Sequence, residues 1–148
     1  MFKINIVAVG TLKEAYLTAA VKEYAKRLTR YADVKCIEIA ECNTSDGTVK
    51  EGKDIISKCA GSVYALDSHG VSLTSEEFAG LVGKERDAGD TLTFVIGGSC
   101  GLSDDVKANA KKLLSFGKVT YPHQLMRVIL YEQIYRAVNI LSNGKYHK

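Results

Sequence analysis

The sequence predicts an α/β fold, a mostly parallel sheet flanked by helices, in a single domain spanning residues 1–148. Near-continuous apolar runs of strand length, INIVAVG (Ile4–Gly10) and TLTFVI (Thr91–Ile96), suit strands covered on both faces. Segments with a helical repeat of apolar residues alternate with those runs along the chain, as in a layered α/β domain. The 148 residues are 46% hydrophobic and 25% charged, with one proline. That is a globular composition, and enough chain for one well-filled core.

The first strand closes on Gly10. Leu17, Ala20, Val21, Tyr24, Ala25, Leu28 and Tyr31 then recur at helical spacing, while Lys22, Glu23, Lys26, Arg27 and Arg30 fill the other face and give a helix with a basic outer surface. VKCIEI (Val34–Ile39) alternates like a half-exposed strand. Asn43–Gly47 reads as a loop before a polar helix, Val49–Cys59. SVYALD (Ser62–Asp67) is a strand expected to close on the turn Ser68-His69-Gly70. Thr74-Ser75-Glu76-Glu77 has the spacing of a capping box and starts a helix expected to reach Arg86. Ala88-Gly89-Asp90 turns the chain into the strand Thr91–Ile96. Ser103-Asp104-Asp105 caps a helix expected to extend to Leu114, ahead of a short strand at Lys118–Tyr121. Pro122 suits the first turn of the last helix, which is expected to end near Asn143-Gly144.

The formal charge of +3 is compatible with an RNA or phosphate partner, but solubility alone accounts for a charge that small. Cys36, Cys42, Cys59 and Cys100 form no CxxC pair and have no histidine at metal-ligand spacing, so no metal is expected. Scattered thiols suit a reducing cytoplasm. Lys3 and Asn5 interrupt the opening apolar run, no signal-peptide cleavage pattern follows, and no stretch approaches a membrane span, so a soluble, cytoplasmic protein is expected.

Gly97-Gly98-Ser99-Cys100-Gly101 lies between a strand end and a helix start, where parallel α/β sheets usually bind ligands. It lacks the Gly-Lys-Ser/Thr of a phosphate loop and the spacing of a dinucleotide fingerprint, so a tight strand-to-helix turn explains it equally well. Leu66-Asp67-Ser68-His69-Gly70 ends another strand and would lie beside the glycine loop if the two strands were neighbours. On the last helix Glu132 and Arg136 are four residues apart, which suits an ion pair as well as a site. His123 reads as a capping or packing histidine, and Cys100 as an incidental thiol. Tyr146-His147-Lys148 is either a frayed tail or, if ordered, a cover for a site.

IVAVGTLKEAY, LDSHG, FVIGGSCGLS, LSFGKVTYPHQLMRVILYEQIYRA and the terminal YHK together resemble the bacterial 23S rRNA pseudouridine-N3-methyltransferases, small members of the SPOUT, or α/β-knot, class. The resemblance spans nearly the whole chain. The segment Cys42–Gly61 carries none of these motifs and is shorter than usual for the family. The resemblance implies a deep trefoil knot in the C-terminal half, a homodimer, S-adenosyl-L-methionine as methyl donor, and a pseudouridine of 23S rRNA in the assembled ribosome as substrate. It implies cofactor contacts at Leu66, Gly97, Phe116, Gly117, Lys118, Val119, Thr120 and Tyr121. Gly117 stands where the family commonly carries serine, so contact there is through the backbone. Glu132, Arg136, Tyr146 and His147 are the candidates for catalysis: Arg136 to bind RNA or steady the base, Glu132 to orient Arg136 or accept a proton, Tyr146 and His147 to clamp or deprotonate the uracil ring.

Overall fold

Five parallel strands form one sheet in the order β2-β1-β4-β3-β5, in a computed structural model that describes residues 1–148. The strands are β1 (Lys3–Val9), β2 (Asp33–Ile39), β3 (Ser62–Ser72), β4 (Leu92–Ile96) and β5 (Lys112–Ser115). They alternate with α1 (Ala15–Leu28), α2 (Gly47–Lys58), α3 (Ser75–Ala88), α4 (Asp104–Asn109) and α5 (His123–Leu141). Helices α1, α3 and α5 pack together on one face of the sheet, and α2 and α4 on the other.

Double coverage explains the apolar strands. Ile4, Ile6 and Ala8 of β1 and Leu92, Phe94 and Ile96 of β4 point into the core beneath α3 and α5. Val7, Val9 and Val95 point into the smaller core beneath α2 and α4. Thr93, the one polar residue of β4, is fully buried, and its hydroxyl donates to the carbonyl of Ala60 at 2.6 Å. Helix α5 contributes Leu130, Ile134, Ala137 and Val138 to the larger core. Burying each large aliphatic side chain of this kind contributes roughly 1.5–3 kcal/mol, so α5 is structural as well as a platform for chemistry.

The capping box forms as expected: Thr74 accepts from the backbone of Glu77, and Glu77 accepts from the backbone of Thr74. Two other expectations are corrected. First, β3 does not stop at Asp67. It pairs Leu66 with Leu114, loops out Asp67–Gly70, and pairs again from Val71. Second, the fourth helix ends at Asn109 and the last strand is Lys112–Ser115, whereas Lys118–Tyr121 is loop. Leu114 and Leu113 belong to opposite cores, which only an extended segment in the sheet allows. Lys118, Val119 and Thr120 are exposed and offer nothing to bury. Pro122 lies at the N-cap of α5, just ahead of its first turn.

Candidate functional site

Three chain segments converge at the C-terminal ends of β3, β4 and β5. At the end of β4 the chain folds back on itself: Gly98 and Gly101 form a bridge, and the Gly101 amide donates to the Gly98 carbonyl at 3.0 Å. A Cβ on Gly97 would lie 2.9 Å from both the Gly101 carbonyl oxygen and the Leu102 side chain, so only glycine permits this approach. Strands β3 and β4 are hydrogen-bonded neighbours, which brings the Asp67–Gly70 bulge beside the glycine loop. Asp67 braces that bulge, accepting from the His69 amide at 2.8 Å and pairing with Lys107 at 3.3 Å. The His69 amide, and then Lys107, hold its carboxyl below the usual carboxylate range.

After β5, the Ser115 hydroxyl donates to the Gly117 carbonyl at 2.8 Å and accepts from its amide at 3.2 Å. Gly117 adopts φ +114°, in the left-handed region that favours glycine. The chain then crosses from β5 to the end of β1, where α5 begins against Gly10.

These segments enclose a cleft of about 250 Å³. Leu66, Gly97, Phe116, Gly117, Val119, Thr120 and Tyr121 line it; Lys118 does not and is exposed. His69 lies there because β3 and β4 are neighbours, the condition on which its loop is expected beside the glycine loop, whereas nothing in the sequence places His123 or Met126 in the cleft. His123 follows Thr120-Tyr121 by two residues, a usable signal that the packing reading of this histidine does not capture. Met126 becomes legible only once the start of α5 is known to lie over the sheet.

Glu132, Arg136, Tyr146 and His147 form a second cluster. The Glu132 carboxylate accepts from Arg136 Nε at 2.9 Å and Nη2 at 2.6 Å, and this pairing raises the guanidinium further above its ordinary value. Arg136 lies 4.7 Å from the Tyr146 ring centroid, a cation–π distance, and Tyr146 packs edge-on against Tyr135. Burial, then hydrogen bonding with Tyr24, pushes the Tyr146 hydroxyl up to about 12. Nδ1 of His147 is 3.0 Å from Arg136 Nη1, and Nε2 is 2.7 Å from Glu76. Because a guanidinium only donates, Nδ1 accepts, leaving the ring proton on Nε2 toward Glu76. Both imidazole nitrogens are therefore engaged. Asn139 anchors the tail, accepting from the amides of Gly144 and Tyr146, so the C-terminus is ordered against α5.

One chain does not bring the two clusters together. His123 and Arg136 are thirteen residues apart on α5, roughly 20 Å along a helix rising 1.5 Å per residue.

Residues 2–147 match the family described as "Predicted SPOUT methyltransferase". The chain belongs to the SPOUT methyltransferase family. It is 45% identical to a ribosomal RNA large subunit methyltransferase H of Clostridium botulinum, the match covering 98% of this chain and 99% of that protein. It is 47% identical to the protein of the same name from Carboxydothermus hydrogenoformans, over 99% of both chains. Among solved structures it resembles the SpoU methyltransferase AviRb of Streptomyces viridochromogenes, in complex with AdoMet, with a TM-score of 0.50 and 14% identity. That match covers 97% of this chain and 59% of AviRb, and it supports the SPOUT fold of the sheet. No helix of this SPOUT chain is long and apolar enough to cross a membrane, and no group of three or more His, Cys, Asp or Glu could hold a metal ion.

Proposed function

We propose that the chain is an S-adenosylmethionine-dependent methyltransferase that methylates N3 of a pseudouridine in 23S rRNA, on the assembled ribosome in the cytoplasm. The observation that carries this reading is the single cleft lined by seven of the eight residues assigned to the cofactor, in a chain matched end to end by large-subunit rRNA methyltransferases.

The cleft fits such a donor. Its walls are bare backbone at Gly97 and Gly117, which admits close hydrogen-bonded approach, and apolar at Leu66, Ile96, Phe116 and Met126, which suits a flat heterocycle. Leu66, Gly97 and the backbone of Phe116, Gly117, Val119, Thr120 and Tyr121 would hold it. When bound, S-adenosylmethionine supplies an electrophilic methyl group on a sulfonium sulfur. The protein's remaining work is to aim the acceptor nitrogen and remove its imide proton, while cations and donors face the two flanking oxygens as they gain negative charge.

The second cluster has the residue types for that work. Oε1 of Glu132 accepts from both Nε and Nη2 of Arg136 and so orients it, leaving the guanidinium to meet RNA or the uracil oxygens. Tyr146, with its hydroxyl pushed up to about 12, stays protonated near neutrality and donates. His147 accepts a proton once released from Arg136 and Glu76. The separation along α5 is resolved by a homodimer in which one protomer's tail completes its partner's cleft. Leu125, 38% exposed, and the half-buried Val128 and Ile129 give α5 the unpartnered apolar strip such an interface needs. We also assign the deep trefoil knot to the crossing of residues 116–122 over the ends of β3 and β4.

The test is methyl transfer from labelled S-adenosylmethionine to ribosomes lacking the modification and, in parallel, to bulk tRNA, with the product mapped by mass spectrometry. Label at a 23S pseudouridine is expected. Label in tRNA alone, or none, overturns the reading.

A further inference from the structure

Arg127 takes no part in lining the cleft, yet its guanidinium is the most deeply buried cationic group in the chain, with 3% of the residue exposed. Its Nη1 donates to Glu38 at 2.6 Å and its Nη2 to the carbonyl of Gly10 at 3.0 Å, while Nε is buried with no hydrogen-bond partner. An apolar side chain of similar volume would stabilise such a contact as well or better, so stability alone does not account for an incompletely bonded guanidinium here.

Its location suggests the reason. Gly10 follows β1 at φ +89°, and a Cβ there would lie 3.7 Å from Nε2 of His123, so the imidazole rests against this glycine. His123 is one helical turn before Arg127 and lines the cleft. The loop leading into α5 depends on this junction, because residues 118–121 make no hydrogen bond of their own and the nearest ones lie at the two ends of the loop. One end is the Ser115–Gly117 turn. The other is the start of α5, which Arg127 ties to β1 and β2.

We propose that Arg127 is a positioning residue for methyl-donor binding: by tying Gly10 and Glu38 to the second turn of α5, it holds His123 and the 116–122 loop at the rim of the cleft. The proposal rests on reading the cleft as the donor site.

Calorimetric titration of the full-length protein with S-adenosylmethionine tests it, using Arg127→Met, Arg127→Lys and wild type below their melting temperatures. For Arg127→Met the dissociation constant is expected to rise on the order of 10- to 100-fold, as for a misplacement of about 1 Å. Binding stoichiometry per folded molecule should not change. Arg127→Lys keeps the charge but not the two-pronged reach, and should recover part of the affinity. In turnover, the donor KM should rise more than kcat falls, whereas simple destabilisation would lower the active fraction and leave KM alone. A folded Arg127→Met that binds like wild type overturns the proposal. If that variant does not fold, Glu38→Gln decides: its side chain is 41% exposed, and it should weaken donor binding severalfold, an unchanged affinity being the overturning result. A wild-type protein that binds no S-adenosylmethionine removes the donor-site reading itself, a different failure from an Arg127 variant that binds normally.

Discussion

The cleft at the strand ends and the cluster beside the tail are built on opposite principles. The first is made of backbone: Gly97 folded against Gly101, Gly117 in the left-handed region, and a 118–121 loop free of internal hydrogen bonds. The second is made of side chains that already satisfy one another, with Glu132, Arg136, His147 and Glu76 in one chain of ion pairs and hydrogen bonds. A backbone site fails when the path of the chain changes. A side-chain site fails when a functional group is lost, and it must break contacts of its own before it touches a substrate.

Gly97→Val should have the largest effect, because Cβ alone already meets the Gly101 carbonyl at 2.9 Å and β-branching adds bulk. Donor affinity is expected to fall by at least ~100-fold, with the circular dichroism spectrum preserved. Unchanged calorimetric affinity would take Gly97 out of the site. Deleting Tyr146–Lys148 should do the reverse, leaving the fold and donor binding intact while methyl transfer to ribosomes drops at least ~100-fold, the lower range for a positioned acid–base group. A truncated enzyme with wild-type turnover would reduce the tail to packing.

Mixing these two inactive variants joins the regions across the proposed dimer. A heterodimer has one cleft intact in the truncated protomer and one intact tail in the other, so a 1:1 mixture should recover roughly a quarter of wild-type activity after exchange. No recovery, or a monomer by light scattering, would place the tail's action within its own chain. Tyr146→Phe should slow transfer by about 10-fold, less than the full deletion because the ring still packs on Arg136. Since burial holds that hydroxyl at about 12, the loss should be constant from pH 7 to 10; a step near pH 10 would make the phenol a base. The smallest effect is expected from Gly117→Ala, where holding φ at +114° costs about 1–3 kcal/mol. If the loop relaxes instead of unfolding, the cost appears as a modest rise in donor KM.

Local signals in the sequence are legible. Thr74 and Glu77 cap α3 because their chemistry is contained within four residues, and β1 and β4 were plain because both faces of each are apolar. The errors came where pairing partners are distant. Leu113 and Leu114 look helical beside Ala108, Ala110 and Lys111 until β3 is there to receive them, and Ser68-His69-Gly70 looks terminal until Val71 pairs again with β5. The site divides in the same way. Its glycines and the SFGKVTY loop stood out as motifs, whereas Arg127 finds its acceptors 89 and 117 residues away, and no local pattern announces that. The fold-back of Tyr146 depends on Asn139 and Tyr135, whose spacing reads as ordinary helix.

Helix α5 follows all five strands in the chain, yet it packs Leu130, Ile134, Ala137 and Val138 into the larger core. During synthesis, the first 115 residues can hydrogen-bond their strands while α1 and α3 cover only part of that face, as where Phe78 packs on Phe94. A newborn chain therefore carries a partly covered apolar surface until α5 emerges, and every sheet pairing it makes, apart from β1 with β2 and β3 with β4, skips over at least one intervening strand. Closure has to wait for the same helix that sets the cleft, so a molecule able to bind its donor is also one that has finished folding.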